Sequence, residues 1–269
     1  MNDKLFDLTN KNVILFGGSG ILGTEFSKIL IKYNANVISC DIRESDEKIN
    51  SSSIEYITFD AGQENELNEF RDRIITKYNK IDVIVNCLTA KYNDFYLPFD
   101  KVSLAGWEIG LKGNLTIPFM ICKAFINQLC EQRFGSIINI SSVYGLVGND
   151  QSIYEGSNLH EIYVKDSPDI TQIYSHGVYN AAKGGLNNFT RYLAAYYGKY
   201  NVRVNAISPG GIEYPKENDT FLKKYAAKTP LGRKAKANEM NGALIYLASD
   251  ASSYVTGHNL VVDGGFTCW

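Results

Sequence analysis

The segment that most restricts the architecture of this chain is Asn12-Val-Ile-Leu-Phe16 running into Gly17-Gly18-Ser19-Gly20-Ile21-Leu22-Gly23. The first five residues have the length and apolar character of a buried strand, and Ile21, Leu22, Phe26, Ile29 and Leu30 recur at the spacing of one helix face. A strand that turns through glycines into a helix leaves free N–H groups at the turn, and these attract phosphate. Gly18-x-Gly20-x-x-Gly23 is the spacing of a dinucleotide-binding turn. Its glycines permit the tight bend, let backbone approach a pyrophosphate and bring helix against strand. Asn36-Val-Ile-Ser-Cys40 reads as a second strand and delivers Asp41 eighteen residues after Gly23. A carboxylate there accepts ribose hydroxyls and repels a 2′-phosphate, so NAD is favoured over NADP. Arg43 pulls the other way, because a guanidinium can pair with that phosphate.

Strand-like runs continue near 81–86, 135–141, 202–207 and 259–262, alternating with helical patterns near 64–78, 112–133, 179–199 and 236–248. That alternation implies one α/β domain over residues 1–269, a doubly wound parallel sheet with helices on both faces. Ligands then gather at the carboxyl ends of the strands, where residues 17–23, Asn86, Ser142 and Pro209 fall. With 269 residues, 45% hydrophobic, and a net charge of −2, the chain can fill one large core and carries no bulk charge that points to nucleic acid or membrane. The opening Met1-Asn-Asp-Lys-Leu5 lacks an export signal, and no apolar stretch approaches the roughly 20 residues that span a bilayer, so a cytoplasmic location is expected. Five cysteines without Cys-x-x-Cys spacing read as free thiols, and His160, His176 and His258 form no metal-ligand pair.

Of 18 tyrosines, Tyr179 alone has a lysine four residues later, in Tyr179-Asn-Ala-Ala-Lys183-Gly184-Gly185. On a helix the two side chains share a face. There an ammonium stabilises a phenolate and brings a phenol of ordinary pKa about 10 toward the working pH, as proton-transfer catalysis requires. By itself the pair equally describes a surface helix, and the other blocks decide between the two.

Taken in order, those blocks resemble the short-chain dehydrogenase/reductase family, from about Leu8 to Phe266. Phe59-Asp60-Ala61 resembles the segment whose Asp contacts adenine, Asp82-Val-Ile-Val-Asn86 the fourth strand, and Gly113-Asn114-Leu115 the site whose Asn holds a water in a proton relay. Residues 135–145 resemble the strand that ends in the catalytic serine, placed at Ser142, with Ser141 the nearest decoy. Residues 204–212, with Pro209-Gly210-Gly211-Ile212, resemble the loop that meets the nicotinamide carboxamide; Tyr254-Val-Thr-Gly257 and Val262-Asp263-Gly264-Gly265 resemble the closing signature of the shorter, single-domain branch. The resemblance implies a Rossmann fold of about seven strands. It also implies Asn114, Ser142, Tyr179 and Lys183 as the catalytic set, and cofactor contacts from Gly17, Ser19, Gly20, Ile21, Leu22, Asp41, Asp60, Ala61, Cys87, Tyr179, Lys183, Pro209, Gly210 and Ile212. A homotetramer is implied too, through the helices near 112–133 and 179–199, and the apolar end Phe266-Thr-Cys-Trp269 would be awkward in water.

Several positions depart from the family pattern. Phe16 stands where Thr is usual and Cys87-Leu88-Thr89 where Asn-Ala-Gly is usual, so an apolar Phe16–Leu88 contact is expected to replace a hydrogen bond. Gly17-x-x-Gly20-x-x-Gly23 is more usual in the longer, nucleotide-sugar branch, yet only 60 residues follow Pro209. Tyr214 stands where a Thr often contacts the cofactor. The largest departure is the 37-position step from Ser142 to Tyr179, where the insertion at about 148–177 is anchored at both ends to catalytic residues. Such a loop passes beside the substrate site. It carries Tyr154-Glu155-Gly156 and Asp166-Ser-Pro-Asp169, and its hydroxyls, carboxylates and aromatics suit a polyhydroxylated ligand; an oligomer contact is the plainer alternative. An insertion with Tyr-Glu-Gly is similar to short-chain dehydrogenases of bacterial surface-sugar and flagellin-glycan biosynthesis. The expected activity is NAD-dependent hydride transfer at a secondary alcohol or ketone of a sugar-like substrate, with Ser142, Tyr154, Glu155 and Tyr179 meeting it. A 3-oxoacyl-carrier reductase using NADPH, a sugar epimerase or dehydratase without net redox, and a non-catalytic dinucleotide sensor are the other readings.

Overall fold

In the computed structural model, residues 5–90, 92, 94–164 and 170–269 are described; Asp166-Ser-Pro-Asp169 of the insertion and Met1–Lys4 lie outside them. The chain runs β1 (Asn12–Phe16), α1 (Ile21–Lys32), β2 (Asn36–Asp41), β3 (Ile54–Thr58), α2 (Glu64–Tyr78), β4 (Val83–Asn86), α3 (Leu104–Leu111), α4 (Ile117–Glu131) and β5 (Gly135–Ile140). It continues with α5 (Leu159–Tyr163), α6 (Gly177–Tyr197), β6 (Val202–Pro209), α7 (Asp219–Ala227), α8 (Asn241–Ala248) and β7 (Asn259–Val262). The seven strands form one sheet in the order β3-β2-β1-β4-β5-β6-β7, every pairing parallel. The chain winds outward from β1 to β3 and then returns to β4, so the carboxyl ends of β1 and β4 open a crevice at the point where the order reverses.

Both faces of the sheet are buried, which is why β1 and β4 at its centre read as the apolar runs Val13–Phe16 and Val83–Val85 rather than alternating with polar residues. Along β1, Val13 and Leu15 join the core beneath α1 and α8, whereas Ile14 and Phe16 join the core beneath α2, α4 and α6. The period of two thus sorts one strand into two cores. Phe16 and Leu88 belong to the same cluster, as expected, but the rings around Phe16 are Phe70, Phe59 and Phe125, with centroids 5.8, 6.3 and 6.4 Å away. An aromatic core, rather than one pairwise contact, replaces the missing hydroxyl.

The helix expected at 112–133 starts earlier and is not uniform. From Leu104 to Glu131 it is continuous, with a π turn at Lys112–Thr116. By length and composition this helix could cross a membrane, contrary to the sequence expectation that no such stretch exists. Here Ile121, Cys122, Phe125, Ile126 and Leu129 are buried in the core, the burial expected of a core helix.

The insertion builds a third, smaller core. Ile153, Leu159 and Ile173 pack with Phe221 and Tyr225 of α7. Polar bonds seal the seam: Lys224 Nζ donates to Ser152 O and Glu155 O (both 2.8 Å), and Asn158 bonds both Lys216 O (2.7 Å) and the Asn218 N–H (2.8 Å). At the chain end Phe266 is half-buried against Tyr225 while Trp269 remains exposed, so only part of the apolar tail is covered.

Candidate active site

At the carboxyl end of β1 the chain must turn sharply, and Gly17 adopts φ +83°, a region that disfavours side chains. A Cβ on Gly17 would overlap Cys87 O, one on Gly18 would overlap Ser39 Oγ, and one on Gly23 would overlap Gly17 O. These are the three positions where close approach demands glycine; Gly20 is looser. The N-terminus of α1 has no side-chain cap and no acidic residue in its first turn, so its N–H groups stay available to an anion. Ile21 beside them is 50% exposed, an apolar flank unused by the core.

Asp41 ends β2 next to this cradle. One carboxylate oxygen accepts the Ser19 N–H (2.9 Å), the other the Arg43 N–H (3.3 Å), and the Arg43 guanidinium donates to Ser19 O (3.1 Å). Asp60 lies at the start of α2, accepting the Gly62 N–H at 2.8 Å, with half-buried Ala61 beside it. Cys87 follows β4, its N–H donating to Phe16 O (2.9 Å) and its thiol pushed up to about 12 by burial, which makes it a structural rather than reactive thiol. Gly210 N–H donates to Val262 O (2.9 Å), and Ile212 forms an isolated bridge with Ala235 that fixes the loop after β6. The cradle that fits only glycine, the uncapped helix terminus and the carboxylate beyond it suit a dinucleotide with its pyrophosphate at residues 17–23 and a ribose at Asp41.

The catalytic candidates converge from three elements. Ser142 closes β5, Tyr179 and Lys183 stand four apart on α6, and Asn114 sits in the π turn. The α6 backbone is drawn close because Gly145 has no Cβ: one would stand 2.7 Å from Lys183 C. Ser141 Oγ donates to Lys183 O (3.2 Å), Asn187 to Gly145 O (3.2 Å) and Asn180 to Val147 O (3.1 Å), so the serine loop and α6 are laced together. Ser141 is thereby the structural member of the pair. Ser142 hydrogen-bonds the Tyr179 phenol and also accepts the Tyr144 N–H (3.2 Å).

Lys183 is 2% exposed, and its Nζ donates to Ile140 O (2.8 Å) and Leu88 O (3.3 Å) while standing 5.5 Å from the Tyr179 ring centroid. Burial pulls its pKa down to about 8. Tyr179 moves the other way, up to about 12, because burial outweighs the Ser142 hydrogen bond. The sequence reading expects the lysine to bring the phenol down; in the protein alone desolvation wins, since the ammonium is turned to the two carbonyls. Asn114 is fully buried, with Nδ2 donating to Gly110 O (3.0 Å) and Oδ1 unpartnered among the described residues. The π turn carries an extra residue, which is how a helix presents such an atom inward.

Tyr154 is gathered into the site, its phenol 3.3 Å from that of Tyr144 and close enough to Tyr179 to act on its ionisation. Glu155 is not: its carboxylate is exposed and faces Lys224 Nζ at 3.7 Å, because a charged side chain keeps its hydration by turning outward where its neighbour turns in. Tyr214 also faces the insertion, its ring 5.6 Å from Tyr163. Sequence reasoning misses Tyr96, Tyr144, Tyr163 and Tyr225, which join this tyrosine group from four separate segments. It also misses the buried chain Asn86–Asn139–Thr190, with bonds of 2.9 Å each, that braces β4, β5 and α6 beneath the site. Polar residues inside apolar strands were the available signal.

Residues 11–157 match the family model described as short chain dehydrogenase, and 168–267 match the one described as Enoyl-(Acyl carrier protein) reductase. The unmatched stretch between them falls in the insertion. A 2,5-dichloro-2,5-cyclohexadiene-1,4-diol dehydrogenase of Sphingobium indicum is 31% identical, covering 97% of this chain and 98% of that protein. A 3-oxoacyl-[acyl-carrier-protein] reductase of Chlamydia trachomatis is 30% identical over 96% of this chain and 98% of its own. Among solved structures, a short chain dehydrogenase from Leptospira borgpetersenii with bound NAD+ superposes with a TM-score of 0.87 at 30% identity, covering 99% of this chain and 96% of that one.

Proposed function

The chain belongs to the short-chain dehydrogenase/reductase family and is an NAD(P)-dependent oxidoreductase; we propose that it uses NAD and acts on a secondary alcohol or ketone of a polar, sugar-like substrate. The observation that carries the substrate reading is the group of phenols around Tyr179. Tyr96, Tyr144 and Tyr154 all act on one another or on Tyr179, and burial raises the pKa of each, so they stay neutral donors and acceptors. Such a wall matches hydroxyls on a ring better than an acyl chain. The diol dehydrogenase of Sphingobium indicum supports a ring that carries hydroxyls. The Tyr154-Glu155-Gly156 insertion supports the narrower reading of surface-sugar or flagellin-glycan synthesis. NAD is supported by the Asp41 carboxylate and by the Arg43 guanidinium being turned to Ser19 O.

When bound, the dinucleotide supplies the hydride acceptor or donor. In the oxidative direction Tyr179, ionised, takes the hydroxyl proton while Ser142 orients the substrate oxygen; in the reductive direction Tyr179 returns it. Lys183 keeps positive charge beside the phenolate, and Asn114 Oδ1 anchors a water between Lys183 and solvent. A phenol at about 12 in the protein alone must be lowered for this work, and the Ser142 bond, the one group already opposing burial there, supplies part of that change.

The exposed aromatic face of α4 and α6, with Phe119, Phe189 and Tyr192 lining an open hollow of about 480 Å³ and Tyr196 exposed on α6, supports a homotetramer. The five free cysteines support a reducing, cytoplasmic setting. A second reading, reduction of a 3-oxoacyl group on a carrier, is favoured by the match over 168–267 and by the Chlamydia trachomatis relative. Turnover read at 340 nm with cyclic diols, polyols, nucleotide sugars and a 3-oxoacyl thioester, each with NAD and NADP, separates them. The proposal expects polyol oxidation with NAD; reduction of the thioester alone would give the second reading.

A further inference from the structure

We propose that Tyr225 is a positioning residue that sets the backbone of the nicotinamide loop and ties it to the insertion. The proposal rests on the loop at 209–212 serving the nicotinamide end of the cofactor. That stretch is pinned bond by bond. Gly210 N–H donates to Val262 O (2.9 Å), Gly211 N–H to the Tyr225 phenol oxygen (2.5 Å), Ala235 N–H to Gly211 O (2.9 Å) and Glu213 N–H to Ala235 O (2.8 Å). Among the described residues, the Ile212 N–H between them has no partner and is left to a ligand.

Shape agrees with the hydrogen bonding. A Cβ at position 211 would stand 2.5 Å from Tyr225 Cζ and 2.7 Å from its oxygen, so the loop fits the ring only as glycine. The rest of the ring belongs to the insertion's core: Tyr225 is 4% exposed and packs with Ile153, Leu159 and Ile173. Phe266 stacks on it at 5.1 Å, and Lys234, paired with buried Glu217, holds its ammonium 5.7 Å from the ring centroid. A ring this closely packed does not move without its neighbours. Whatever shifts the insertion therefore shifts the acceptor of the Gly211 N–H, and with it the Ile212 amide.

Tyr225→Phe tests this, because it removes the phenol oxygen and keeps the ring. The readout is affinity, by calorimetric titration, for NADH or NADPH, whichever the native protein binds more tightly. It is compared with affinity for the matching fragment without nicotinamide, ADP-ribose or its 2′-phosphate. An Ile212 amide displaced when Gly211 loses its acceptor costs the dinucleotide one hydrogen bond, about a tenfold loss of affinity. The proposal expects the dinucleotide to bind about tenfold more weakly and the fragment to bind as before. Equal losses on both ligands, or no loss on either, would overturn it. Leu159→Ala reads the link to the insertion: it should lower the dinucleotide-to-fragment affinity ratio in the same direction, and Ile153→Val serves if that protein does not fold. A native ratio in a folded insertion variant would overturn the link. If instead the native protein bound neither ligand, the cofactor reading of the loop would have failed, an outcome distinct from a native ratio that Tyr225→Phe leaves unmoved.

Discussion

Replacing Lys183 by methionine removes one titrating group from the interior and nothing else that ionises. Burial lowers the lysine from 10.5 to about 8, so between those values the folded protein holds fewer protons than the unfolded chain. Where the unfolded state binds more protons, stability rises with pH, here by up to about 1.4 kcal/mol per unit and about 3 kcal/mol across the window. Below about pH 8 the folded lysine is protonated too, and the cost of burying the ammonium is carried in full. The difference in unfolding free energy, native minus Lys183→Met, should therefore be flat and lowest near neutrality and climb by about 3 kcal/mol toward pH 10.5. Its offset at neutrality is a separate quantity, because methionine also strips the bonds to Ile140 O and Leu88 O. Tyr179 works in the opposite sense, its contribution being present below 10 and lost as pH rises through about 12, but it is common to both proteins and cancels. Urea unfolding at a series of pH values gives the difference directly. Parallel curves from about pH 7 to about pH 10.5 would refute a buried, desolvated Lys183.

Three further outcomes are expected. Titration of both cofactors should show tighter binding of NAD(H) than NADP(H) and a narrower gap in Asp41→Ala, whereas equal or tighter NADP(H) binding by the native protein would give the pocket to Arg43. Light scattering should give about four times the 30.0 kDa chain mass, and a monomer mass at micromolar concentration would end the tetramer. Tyr154→Phe should reduce substrate affinity or turnover without changing cofactor affinity or assembly, while Glu155→Ala, whose carboxylate is exposed beside Lys224, should change either by less than about twofold. Disassembly with normal kinetics in both would make the insertion an interface.

What could be read from the residues followed local rules. Strand, glycine turn and helix lie within residues 12–32, and their conformations answer to short-range sterics, so β1, residues 17–23 and α1 were legible, as was Asp41 at the end of β2. Tyr179 and Lys183 were legible because four residues on a helix are one contact. The tyrosine group was not, since Tyr96, Tyr144, Tyr154 and Tyr225 come together only when the insertion folds onto α7, through contacts some 70 residues apart such as Ser152 with Lys224. The outward turn of Glu155 and the raised pKa of Tyr179 were hidden for a related reason: both depend on which groups are dry, a property of packing.

The proposed mechanism stands on Tyr179 moving the proton in hydride transfer between a nicotinamide cofactor and a substrate hydroxyl. The most direct measurement is the rate of absorbance change at 340 nm, with the best substrate from the panel, for the native protein and Tyr179→Phe, alongside the cofactor affinity of each. The variant keeps the ring and loses the transferable proton. Turnover should fall by roughly 10²-fold to 10⁴-fold with cofactor affinity nearly unchanged. Unchanged turnover in Tyr179→Phe, or product formed by the native protein with no net change in cofactor absorbance, would contradict it.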